Sequence, residues 1–298
     1  MEILPRESWS ARAAAHAERV DTWVQPHLAR RRNGIKHPVH DFLFTYYSQR
    51  PAALRRWHPG WGVALEDAPE YADQKGYSVS EQRGASVSKP HLESQLPVID
   101  SIHRLLSATA SRPPTLGCFG LHEWAMVHRA PHPGGIRHDW PLRLGARATD
   151  EVVDSHRITC SHFDAFRFFS HSARPLNILQ PGREDRAEFE QPGCLHAGMD
   201  LYKHAFRLTP LVPSELVADC FELAWDIREL DMRASPYDFS DLGLEPVRIE
   251  SPEGKQEYVG AQRHFTERGA PLRQRVIEEC RRLEAAAGIP LAATSGPS

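Results

Sequence analysis

Seventeen histidines among 298 residues raise metal chemistry as one reaction type this chain could support. The best ligand spacing lies in "CLHAGMDLYKHAF": His196 and Asp200 stand four apart, as do Asp200 and His204, so either pair shares one face of a helix. All three cannot hold one ion, because His196 and His204 are separated by about 12 Å of helical rise. A ligand atom sits only roughly 2 Å from a zinc-like ion. His122, four residues after Cys118, and His40, beside Asp41, supply further imidazoles. Neutral imidazole with carboxylate suits iron or zinc. The alternative to the leading reading given below is thus a metal-dependent enzyme acting on a small molecule through His196, Asp200, His204, His122 and His40. Such rings equally serve as partly buried hydrogen-bonding groups.

A second stretch, "TLGCFGLHEWAMVHRAPHPGGIRHDW", suggests a different chemistry. Gly117 and Gly120 frame a turn that runs straight into a helix start, and unpaired amides there favour an anion such as a phosphate. A Pro/Gly-rich loop follows and delivers Asp139. Arg55 and Arg56 in "ALRRWHP" mix cation with aromatic and suit a phosphate contact.

That order of turn, helix, loop and aspartate resembles the helix-hairpin-helix DNA glycosylases, although two residues separate the glycines here. Over most of its length, in "HPVHDFLFTYYSQRPAALRRWHPG" and "DCFELAWDIRELDMRASPYD", the chain is similar to actinobacterial proteins commonly labelled 3-methyladenine DNA glycosylase. The resemblance implies hydrolysis of the N-glycosidic bond of an alkylated purine in damaged DNA, with no cofactor. It makes Asp139, with Glu123 nearby, the catalytic carboxylates. Asp139 would stabilise the cationic sugar and activate water. Trp124, Trp140 and Tyr46 would stack on the extruded base. On the metal side, Asp200-x-x-x-His204 resembles the aspartate and histidine pairing of haem-oxygenase-like di-iron enzymes, and His40-Asp41 resembles the pair in HD-domain proteins.

Composition limits both readings. Lys and Arg total 36 against 39 Asp and Glu, a formal charge of -3, so nucleic acid must be met by a local patch. Five cysteines at wide spacings, without C-x-x-C, argue for reduced thiols rather than a disulfide framework or a zinc ribbon. No apolar run reaches the roughly 20 residues needed to span a bilayer. The charged start lacks the apolar segment of a signal peptide, so a cytoplasmic location with no membrane partner is expected. Gly-x-Gly-x-x-Gly, P-loop and Gly-x-Ser-x-Gly motifs are missing.

Helical spacing places these residues. A helix is expected over about 7–32, kinked or split at Pro26, and another from Pro38 to Arg50. Residues 57–97 read as irregular. Helices return in "LPVIDSIHRLLSATAS", "QPGCLHAGMDLYKHAFRL" and "QRVIEECRRLEAAAG", with a short strand near His156 to Cys160. The clearest element is "VPSELVADCFELAWDIRELDMRA", where Leu216, Val217, Cys220, Phe221, Ala224, Ile227 and Leu230 form one apolar stripe. The expected fold is mainly α: a single helical domain over 1–288 with long irregular loops and a few short strands, and a disordered tail over 289–298.

Overall fold

The computed structural model describes residues 1–47, 49–80, 82, 84–130 and 140–289. Asp139, the loop before it and almost all of the expected tail lie outside these residues. The described chain is mainly α, with four short strands. In order it runs β1 (Glu2–Leu4), α1 (Arg6–Arg32), α2 (Phe42–Tyr46), α3 (Pro51–Arg55), β2 (Val63–Leu65), β3 (Tyr77–Ser80), β4 (Gly84–Val87) and α4 (Lys89–Ala110). Then follow α5 (Leu121–Val127), α6 (Gly145–Ser155), α7 (Phe163–Phe166), α8 (Arg186–Phe189), α9 (Leu195–Arg207), α10 (Ser214–Arg233) and α11 (Pro252–Ala286). None of the described helices is long and apolar enough to cross a membrane.

Three proline-bearing helices are longer or more continuous than the sequence reading expects. α1 carries Pro26 without a break in its assignment. α4 starts at Lys89, where the Ser88 hydroxyl accepts from the His91 amide, and it continues through Pro97. α11 starts at Pro252 rather than near Gln274, behind the Ser251 cap, and contains Pro271. In each case packing outweighs the missing amide, and in the last two a serine satisfies an otherwise orphaned helical N–H. The strand expected near His156 reduces to one parallel bridge, Ile158 to Asn177.

The span read as irregular contains most of a sheet ordered β1-β2-β4-β3. β1 pairs parallel to β2, and β4 pairs antiparallel with both β2 and β3. Gly84 is obligatory there: its φ is 76°, and a Cβ would lie 2.0 Å from the Leu65 carbonyl oxygen. The sheet covers a small core of Trp9, Trp57, Leu65, Ala68, Tyr71 and Ala85. His58 joins it to α10: its amide donates to the Ser214 hydroxyl, its carbonyl accepts from the Ser214 amide, and its Nδ1 meets the Tyr77 hydroxyl at 3.0 Å.

The main core lies where α9, α10 and α11 pack against one another, with α4 against α11. The α10 stripe is buried as expected, at Leu216, Val217, Cys220, Phe221, Ala224, Ile227 and Leu230. α9 and α10 approach closely at Gly198, whose added Cβ would stand 2.8 Å from Ile227 Cδ1. The turn of α9 that begins at His196 is thereby held against the turn of α10 that ends at Asp231.

Burial holds His58 uncharged, followed by the charge of Arg56, lowering its pKa to about 3. The unfolded chain therefore takes up this proton first as pH falls below about 6.5. Stability is expected to drop between pH 6.5 and about 3, by up to ~1.4 kcal/mol per pH unit from this group. Urea unfolding across that range checks it: His58→Gln should flatten the slope by up to one proton, and an unchanged slope contradicts the assignment.

Candidate metal centre

α5 enters the core almost completely, with all seven residues buried. Its anchor is Trp124, fully buried, whose Nε1 donates to the Ala234 carbonyl at 2.8 Å just past α10. This docking carries His122 and Glu123 to the buried side of α10, where Arg228 and Asp231 interrupt the apolar surface. Arg228 Nη1 donates to Asp231 Oδ2 at 2.9 Å and to Glu123 Oε1 at 3.2 Å. Its guanidinium lies over the Phe42 ring, 3.8 Å from the centroid.

His122 Nε2 lies 3.2 Å from Asp231 Oδ1, close enough for an ion pair. Among the described residues neither atom has a well-aligned hydrogen-bond partner, so imidazole and carboxylate meet chiefly as charges. His196 closes the group: its ring stands edge-on to His122 at 4.3 Å between centroids. One ligand atom from each of His122, His196 and Asp231 lies within 4.8 Å of the others. Around an ion bound at about 2.1 Å, neighbouring ligand atoms stand roughly 3 to 3.5 Å apart. The His122–Asp231 spacing matches that range, and closing a shell would draw the group together.

Electrostatics favours this set as ligands. Burial opposes the charged form of Asp231, yet His122, His196 and Arg228 outweigh it and hold the carboxyl well below its usual range. Burial, then the neighbouring His122, keeps His196 well below an ordinary imidazole, so its lone pair is free of a proton. For His122, burial is overcome by Asp231 and Glu123, and the ring ends above its ordinary value. A bound cation would take the place of that proton.

The group opens on a cavity of about 390 Å³, lined in part by His122, His196, Cys118, Cys160, Cys194 and Tyr258. Burial pushes the Cys160 thiol up to about 12 and Cys194 well above its ordinary value. Both are neutral walls rather than thiolates at neutral pH. Tyr258 is likewise kept protonated by burial, and its hydroxyl is 3.6 Å from Cys118 Sγ. No family model, curated protein or solved structure matches this chain.

The expected site residues are dispersed by the fold. His122 and His196 meet, with Glu123 beside them but turned to Arg228. Asp200, one turn along α9, belongs to a neighbouring charged cluster. It accepts from Tyr47 at 3.0 Å, Arg186 at 3.0 Å and Lys203, and His162 Nε2 stands 3.3 Å away. His204 is buried beyond that cluster, neither ring nitrogen has a partner among the described residues, and it does not join His196. His40 is stacked between His37 and Trp225 instead of approaching the centre.

The residues expected at DNA fare differently. Trp124, at 0% exposure, has no face left for a base. Tyr46 is stacked on Phe42 at 4.9 Å, and Trp140 packs edge-on against Phe239. Arg55 is paired with Asp21, while Arg56 is exposed. Gly120 adopts a positive φ of 66° at the start of α5, but it is buried near Ala234 and Tyr258 rather than open to a phosphate; Gly117 is half-buried. Asp231 was missing from the expected set, although it stands four residues after Ile227 and so continues the apolar stripe with a charge.

The buried Arg228 gives a direct test of the network. Arg228→Met should destabilise the fold by about 3–5 kcal/mol, because two buried carboxylates lose their cation. Combining it with Asp231→Leu should cost less than the sum of the two single changes, measured by urea unfolding. Additive effects would mean that the pair is not coupled.

Proposed function

We propose that this protein is a metal-dependent enzyme that acts on a small molecule in the cavity beside His122, His196 and Asp231. The observation that carries this reading is the convergence of His122, His196 and Asp231, with His122 Nε2 3.2 Å from Asp231 Oδ1 and both imidazoles on the wall of a 390 Å³ cavity. Two imidazoles and one carboxylate leave coordination positions open, as catalytic zinc and non-haem iron sites require. The cavity falls in the size range of small-molecule pockets. When bound, such an ion supplies Lewis acidity or, for iron, redox chemistry.

The chain's own groups have separate tasks in this reading. Arg228 holds Asp231 in place while leaving Oδ1 toward the imidazoles. The neutral Tyr258 hydroxyl on the cavity wall can donate a hydrogen bond to a substrate oxygen. The protonated thiols and apolar side chains of the lining limit competing water.

Excision of an alkylated base is the other reading, and the likeness to helix-hairpin-helix glycosylases is its support. It relies on Asp139, which lies outside the described residues, and on a turn whose helix start is buried. The described residues therefore favour the metal reading.

Tag-free protein should retain near-stoichiometric iron or zinc after anaerobic loading and desalting, measured by mass spectrometry. His196→Ala and Asp231→Asn should each lower metal affinity by at least roughly tenfold. Metal-free wild type after both loadings, or variants that bind as well as wild type, would sink the reading. Release of free base from methylated duplex in the presence of a chelator would do so as well.

A further inference from the structure

A second cavity, of about 690 Å³, opens where the end of α1 meets the 34–41 loop, α2 and the start of α3. Among the described residues its unpaired charges are all positive. Arg31, Lys36 and Arg50 line it, all exposed, and none has an ion-pair or hydrogen-bond partner among the described residues. The carboxylate in the wall, Asp41, is already matched. Its Oδ1 accepts from Arg30 at 2.6 Å and His27 at 2.8 Å, and its Oδ2 accepts from the His37 amide at 2.9 Å.

The helix dipole explains only part of this. Arg31 lies in the last turn of α1, where a cation is favoured. Lys36 is in a loop, and Arg50 is the residue that caps the start of α3, where the dipole opposes a positive charge. Apolar and aromatic side chains, Phe42 and Trp140 among them, line much of the rest, beside the hydroxyl of Thr45. Gln49 also lines the cavity, and its side-chain oxygen is buried without a donor among the described residues.

We propose that this cavity binds an organic phosphate: a dianionic head held by Arg31, Lys36 and Arg50, joined to an aromatic or apolar body. Three uncompensated cations match a dianion better than a single carboxylate, and two of them are guanidinium forks suited to phosphate oxygens. The aromatic lining takes the body, and the Gln49 oxygen takes a donor on it. Phe42 forms part of this wall and also lies under the Arg228 guanidinium, so the phosphate site and the candidate metal centre are neighbours. The proposal does not rest on the metal reading.

Calorimetric titration of the full chain with phenyl phosphate, inorganic phosphate and phenol tests it. Phenyl phosphate is expected to bind, to weaken as salt rises, and to bind at least roughly tenfold more tightly than either fragment. The double variant Lys36→Gln/Arg50→Gln should weaken it by about tenfold or more without changing the melting temperature, since both side chains are exposed. Binding should be the same for protein stripped with a chelator and for protein loaded with iron or zinc, which separates this site from the metal centre. No binding of phenyl phosphate, equal binding of inorganic phosphate, or indifference to the double variant would overturn the proposal.

Discussion

The Arg228 guanidinium, 1% exposed, is held inside a helical core between Asp231 and Glu123 and over the face of Phe42. A cation that deep is tolerated only where carboxylates compensate it, and the same carboxylates could not be buried without it. The group therefore binds α10 to α5 through Glu123 and to α2 through Phe42. It also leaves one oxygen of Asp231 directed at imidazoles rather than at a cation, and the ligand character of the centre follows from that division of the carboxylate. An apolar core of the same shape could hold these helices together, but it would give His122 and His196 no anion to meet.

Legibility of the fold in the sequence followed the strength of each local signal. α10 could be read residue by residue because its stripe, Leu216 to Leu230, keeps a helical period over about four turns. The pattern shortens α4 and α11, since Pro97 and Pro271 suggest boundaries while the deciding signals, Ser88 and Ser251, are single capping residues. Strands of three or four residues are too brief to show alternation, so the sheet was hidden in a span that looked irregular.

The site was half legible for a related reason. His122 and His196 could be named as ligand types, but their partner comes from a third helix that no spacing rule connects to them. Spacing favoured Asp200 and His204, which share a helix with His196, whereas the fold surrounds Asp200 with Arg186, Lys203 and Tyr47. A carboxylate so heavily neutralised has little left for a cation. Asp231 was detectable only as a charge in phase with apolar residues, a pattern that sequence reading treats as noise unless burial is already known.

Position 198 has a consequence beyond packing. With no methyl group there, the backbones of α9 and α10 sit at a separation fixed by the contact with Ile227. The distance between His196 and Asp231 is thus gauged by the main chain, like the jaws of a caliper, more than by the reach of their side chains. A side chain at this position would have to push Ile227 aside or part the two helices, and the imidazole and carboxylate they carry would part with them.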